Sequence, residues 1–128
     1  MRSLNWLDPS YALGYEVIRK VDYDEMGPDR VMEIIDERIG DRPLYITFDL
    51  DCLDPTVAPG VANIEAGIEG FGMDQVTQLL RSVRGKNVIG GDVVCLMPTV
   101  DSPNAITSYR SMAVMFEILS LIADRIAG

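Results

Sequence analysis

Apolar positions along the chain fall into two periods that take turns. In residues 27–39, Val31, Ile34, Ile35 and Ile39 recur at helical spacing. Pro28 suits a first helical turn and Gly40 a stop, so the pattern predicts a helix over 27–39. Leu44-Tyr45-Ile46-Thr47-Phe48 is a β-rich run directly after a proline and reads as a buried strand. A loop punctuated by Gly and Pro follows over 51–72. Val76, Leu79, Leu80 and Val83 share one face of a second predicted helix, over 73–83. Residues 87–94 read as another strong strand, and 96–105 as another loop. Ser102 and Pro103 look like an N-cap followed by proline at the first helical position. They open a last helix reaching residue 126, with its apolar stripe on Tyr109, Ala113, Phe116, Ile122 and Ile126 and Leu119 beside it. Nearer the start, 10–14 read as a short helix or turn and 15–21 as a candidate strand, with Trp6, Tyr11 and Tyr15 packing around that end.

Strands alternating with helices imply βαβ units and a parallel sheet covered on both faces. With 128 residues the chain is expected to form one domain. Only three or so strands are visible. So small a parallel sheet leaves two open edges, which suggests part of a larger sheet. In such α/β folds the site lies beyond the carboxyl ends of the strands. Those ends carry Asp49 and Asp51 after the first strong strand, and Asp92 to Cys95 after the second.

Composition narrows the chemistry. The net charge of −9 argues against a nucleic-acid surface, which needs clustered Lys and Arg. It suits a cationic substrate or a bound metal, or simply a solvated acidic surface. The chain contains no histidine. That removes Ser-His and Cys-His catalytic arrangements and His-bearing zinc sites. Cys52 and Cys95 are read as free thiols, each a small filler before it is a nucleophile. No uninterrupted apolar run reaches the ~18 residues of a membrane span, and residues 1–10 lack a signal-peptide pattern. A cytoplasmic protein without membrane or nucleic-acid partners is the expectation.

Asp49 and Asp51 are two residues apart at a strand end. If the strand continues, both carboxylates point the same way. Like charges that close are unfavourable without a cation between them, and hard oxygen ligands suit Mg²⁺ or Mn²⁺. The plainer alternative is that Asp51 starts a turn and Asp49 caps a helix end. Around the pair runs Thr47-Phe48-Asp49-Leu50-Asp51-Cys52-Leu53-Asp54-Pro55-Thr56-Val57-Ala58-Pro59-Gly60. This stretch resembles the signature of the ureohydrolases, the arginase/agmatinase family: Ser/Thr-x-Asp-x-Asp, then Asp-Pro, then Ala-Pro-Gly. Met1-Arg2-Ser3 resembles the family's preceding strand end. Val88 to Val94, with Pro98 and Asp101, resembles its later Asp-Val-Val-Glu…Pro…Asp segment.

The resemblance implies part of a three-layer αβα fold, the C-terminal half, and assembly as trimers or hexamers. It implies hydrolysis of a guanidinium group to urea and an amine by a hydroxide held between two Mn²⁺ ions. By position, Asp49 bridges both ions, Asp51 binds one, and carboxylates near the substrate hold the planar cation. Glu65 is either a substrate contact or a solvated loop residue. Asp92 is either a brace for neighbouring site residues or a surface group. Three departures stand out. The family's upstream Gly-Gly-Asp-His and Asp-Ala-His-x-Asp ligands have no counterpart in a chain without histidine. Cys95 stands where the family has the glutamate that faces the guanidinium. After Gly60 the family's Thr-Gly-Thr-Pro-Glu-Pro-Gly-Gly is changed, with Glu65 and Gly67 persisting. The expectation is an agmatinase-like ureohydrolase domain that is incomplete or inactive alone: a truncated product, a fragment, or a half that needs a complementing chain. The alternative is a non-catalytic module associating with itself or with a full-length homologue. A haloacid-dehalogenase-like phosphatase with Asp49 as nucleophile is disfavoured, because Leu53 stands where that family wants Thr or Val.

Overall fold

The computed structural model describes residues 7–65, 67 and 69–128. Two parallel strands form its centre, β1 (Leu44–Asp49) and β2 (Val88–Val94). The helices are α1 (Asp8–Ala12), α2 (Lys20–Ile39), α3 (Met73–Ser82) and α4 (Ile106–Ala127), with 3₁₀ turns at Leu50–Cys52 and Pro98–Val100. The register runs from Tyr45 opposite Gly90 to Asp49 opposite Val94, after an irregularity between Leu44 and Tyr45. The α/β class and the parallel sheet therefore stand, with a smaller sheet than the expected three or so strands.

The candidate strand over 15–21 is not one. Tyr15 and Glu16 are exposed, and the Asp22 carboxylate accepts the backbone N–H of Arg19 at 3.1 Å. That bond caps the first turn of a helix that opens at Lys20. At Gly27–Pro28 two helical segments meet: Gly27 is non-helical, and Pro28 opens the second segment, which ends at Ile39 as the pattern predicts. Gly27 has φ 79° and ψ 165°, which a side chain would strain, and Pro28 has no N–H to continue the ladder. Tyr11 and Tyr15 do not pack as expected: they are 50% and 64% exposed. Trp6 and the Met1-Arg2-Ser3 resemblance lie outside the described residues.

One face of the sheet carries the core. Ile46, Phe48 and Val93 meet Leu50, Leu53, Val76, Leu80, Val114 and Ile118. At Gly91 a Cβ would come within 2.7 Å of Ile118, so the missing side chain is what lets α4 lie directly on β2. A smaller cluster of Val83, Val88 and Leu121 continues the core toward Met32 and Leu44. The other face is bare among the described residues, with Tyr45, Ile89 and Val94 at 56%, 52% and 39% exposure. The expectation of a sheet covered on both faces is not met.

The apolar stripe of α4 is also a correction. Tyr109, Phe116, Leu119 and Ile126 are 56–75% exposed. The buried side is Thr107, Val114, Ile118 and Leu121, and of the expected stripe Ile122 packs, partly buried, against both core clusters. The helix is apolar nearly all round, so periodicity alone picks no face. Its 18-residue window has a mean hydropathy of 1.3, enough for a membrane span by length and composition, although its buried residues seat it as a core helix.

The two faces give opposite expectations. Ile118→Ala should cost about 2–5 kcal/mol by opening a cavity under the sheet. Phe116→Ser should stay within about 0.5 kcal/mol. Urea denaturation of both variants checks this, and a similar cost for the two would contradict the assigned burial.

Candidate metal centre

At the end of β1 the backbone stays extended through Asp49, with φ −92° and ψ 119°. The Asp49 Oδ1 then accepts the N–H of Asp51 at 2.9 Å, which turns the chain into the 3₁₀ segment. Leu50, fully buried, pins that turn to the core. The strand does not continue to Asp51. The two carboxylates meet because the chain coils back, and Asp49 is a turn cap and a cluster member at once.

The following loop is held by its own polar groups. The Asp54 carboxylate accepts the Thr56 hydroxyl at 2.6 Å, the Thr56 N–H at 2.9 Å and the Gly70 N–H at 3.1 Å. Those bonds hold it below the usual carboxylate range. Further on, the Gly60 N–H donates to the buried Thr107 hydroxyl at 2.8 Å. Only glycine fits at 60, because a Cβ would lie 2.6 Å from the Asp101 side chain. Asp101 explains the corrected start of α4. Its carboxylate accepts the N–H groups of Ser102, Thr107 and Ser108, while Ala105 sits left-handed at φ 56° and breaks the helix that Ser102-Pro103 was expected to open. Burial pushes Asp101 up, but the bonds from Thr107, Ser108 and Ser102 outweigh it and leave the group lowered.

The two loops then pair. Val61 bridges Leu96 in antiparallel fashion. The Met97 N–H donates to the Gly60 carbonyl at 2.8 Å, and the Ala62 N–H to the Cys95 carbonyl at 3.3 Å. This fixes Cys95 in the left-handed region, at φ 71°, which is uncommon outside glycine. One ligand atom from each of Asp49, Asp51 and Cys95 lies within 4.8 Å of the others. Burial raises the Asp51 carboxyl, the charges of Asp49 and Glu65 raise it further, and the Asn63 amide opposes them. A hydrogen bond to Asp49, burial and both aspartate charges raise the Cys95 thiol. Cys52 packs against the core and is pushed up to about 11, chiefly by burial. The Asp51 Oδ1 is shut off from solvent and accepts no hydrogen bond.

The structure therefore brings together Asp49, Asp51 and Cys95, with Glu65 exposed at the rim. Asp92 is elsewhere: it faces the bare side of the sheet and accepts the Thr47 hydroxyl at 2.6 Å and the Tyr45 hydroxyl at 2.9 Å. It braces β1 to β2. Sequence reasoning missed Thr107 as the buried anchor of Gly60, and Asn63 as a neighbour of Asp51. Neither sits in a pattern that announces it.

This donor set fits one divalent ion and does not fit a bridged pair of Mn²⁺. Two carboxylates and a thiol leave a pair of hard, octahedral-type ions short of ligands. The Asp51 Oδ1, buried without a hydrogen bond, is a carboxylate oxygen still in want of a partner such as a cation.

The family model described as the arginase family matches residues 4–120. An agmatinase of Photorhabdus laumondii is 35% identical over 112 residues, spanning 88% of this chain and 36% of that protein. An agmatinase of Citrobacter koseri is 33% identical over the same share. Among solved structures, a hypothetical agmatinase from Burkholderia thailandensis is 38% identical at a TM-score of 0.82, over 91% of this chain and 36% of that one. The proclavaminate amidino hydrolase of Streptomyces clavuligerus is 31% identical at a TM-score of 0.86, over 93% and 39%. The strand end with paired aspartates and the Asp-Pro loop lie within the matched residues, and the chain belongs to the arginase family. It spans about a third of the length of the curated relatives it matches.

The folded pKa of Asp51 lies above that of an unfolded aspartate, so its ionisation opposes folding. The penalty is complete above the folded pKa and absent below the unfolded one. Asp51→Asn should thus raise the Tm of the metal-free protein at neutral pH, with the gain shrinking as pH falls through the carboxylate range. Thermal melts of both proteins across pH check this; a lower Tm for the variant at neutral pH would contradict it.

Proposed function

We propose that this chain is an agmatinase-related ureohydrolase segment in which Asp49 and Asp51 serve as metal ligands and hydrolysis of a guanidino compound needs ligands from further polypeptide. The observation that carries the reading is the convergence of the two carboxylates at the end of β1, within the fold of the arginase family. The substrate class follows from the relatives: guanidinium groups such as that of agmatine, cleaved to urea and an amine. Manganese is the family's expected metal, and the chain's own residues would contribute two carboxylates toward it. A complementing chain would supply the histidine ligands that this chain, and any homo-oligomer of it, does not carry. A cytoplasmic location and a homo-oligomer remain part of this proposal.

A second reading has its own support. Cys95 occupies the place of the family's guanidinium-facing glutamate, and the outer side of α4 presents Tyr109, Met112, Phe116 and Leu119 to solvent. Both features suit a non-catalytic module that docks on a homologue.

Urea release from agmatine, arginine and 4-guanidinobutyrate by the purified chain with Mn²⁺ tests the main reading, with bound metal counted in the same sample. No urea and less than one tightly bound Mn²⁺ per chain are expected. Turnover with a pair of Mn²⁺ per chain would overturn it.

A further inference from the structure

Cys95 brings a sulfur atom to the paired aspartates at the sheet's end, where the family resemblance leads one to expect a glutamate. We propose that Asp49, Asp51 and Cys95 together form a mononuclear site for a thiophilic divalent ion of the zinc class (Zn²⁺, Co²⁺ or Cd²⁺) instead of half of a manganese pair. The inference rests on the reading of Asp49 and Asp51 as metal ligands and adds the sulfur, the ion count and the ion class.

Three chain segments converge to make the site: the end of β1, the 3₁₀ turn after it, and the residue following β2. Their ligand atoms lie within 4.8 Å of one another. Around a tetrahedral ion, with metal–oxygen near 2.1 Å and metal–sulfur near 2.3 Å, neighbouring ligand atoms stand about 3.6 Å apart. Small side-chain rotations close that difference. The Asp51 Oδ1 is the independent sign of an absent partner. A carboxylate oxygen removed from water is normally hydrogen-bonded or bound to a cation, and this one has no hydrogen bond. Sulfur decides the class of ion. Thiolate ligands select zinc-class ions, whereas sites for Mn²⁺ and Mg²⁺ are built from oxygen. Three protein ligands also leave a fourth position open to water or a substrate atom. As the sulfur–metal bond forms, the thiol proton leaves to solvent.

The pairing of the loops keeps the sulfur in place. The Ala62 N–H holds the Cys95 carbonyl, and the Val61–Leu96 bridge holds the next residue. Cys52 is a built-in control, since it is packed against the core cluster.

The test is titration of the purified chain with Cd²⁺, reading the ultraviolet cadmium–thiolate charge-transfer band and, by equilibrium dialysis, the ions bound per chain. One Cd²⁺ per chain with a thiolate band is expected. The band should vanish in Cys95→Ser and in Cys95→Ala, persist in Cys52→Ser, and require more Cd²⁺ in Asp51→Asn. Cys95→Ser should weaken Cd²⁺ binding by at least about tenfold, and Mn²⁺ binding by less than about threefold, because sulfur adds little for a hard ion. One Cd²⁺ lost in Asp51→Asn but bound without a thiolate band would overturn the role of Cys95 while leaving the carboxylate site standing. A band unchanged in Asp49→Asn and Asp51→Asn would mean a lone thiol and overturn both readings. So would the absence of stoichiometric binding.

Discussion

The Asp51 amide donates to the Asp49 carboxylate, and the architecture at the carboxyl end of the sheet follows from that bond. It stops β1, coils the chain into a 3₁₀ turn and brings a second carboxylate back beside the first. Two like charges in a partly dry place are unfavourable, and the raised Asp51 carboxyl reflects this. The fold nevertheless holds them there. Leu50 anchors the turn from below with no exposure of its own, so the carboxylates cannot separate without drawing a buried leucine out of the core. Local strain kept in place by surrounding packing is characteristic of functional sites.

The two long loops serve the same constraint from the other side. Thr107, in the first turn of α4, holds Gly60 through its hydroxyl, and Asp101, ahead of that helix, leaves room for no side chain there. Gly60 in turn pairs with Met97, and Cys95 arrives at the carboxylates in a conformation a cysteine rarely adopts. The Asp-Pro and Ala-Pro-Gly residues are therefore scaffold: Asp54 shapes one turn through three accepted bonds, and Gly60 lets the next element approach. This division explains why the signature extends well beyond its paired aspartates.

Much of this was legible in the sequence. The two strands, the helix over 73–83 and the placing of Asp49 and Asp51 at the sheet's carboxyl end follow from periodicity and from one dense motif, whereas it is the 3₁₀ turn, not a continuing strand, that brings the two carboxylates together. What was not legible depends on tertiary contacts. The exposed side of α4 is as apolar as its buried side, so only the contact with Gly91 and β2 chooses between Phe116 and Ile118. Residues 15–21 alternate well enough for a strand, but the Asp22 cap starts a helix instead. Ser102 and Pro103 have the composition of a cap, while Asp101 does the capping from one residue earlier. Cys95 read as a substitution away from the family's glutamate; its nearness to both aspartates required the pairing of the loops to be seen.

The central claim is that Asp49 and Asp51 form one defined metal site, and not merely two members of an acidic surface. The most direct measurement is a titration of ¹⁵N-labelled protein with Mn²⁺, following paramagnetic broadening of the amide signals. Broadening confined at low Mn²⁺ to the residues around Asp49–Cys52, Ala62–Asn63 and Cys95, and abolished in Asp49→Asn, is the predicted result. Broadening spread over the acidic surface, and unchanged in that variant, would contradict it.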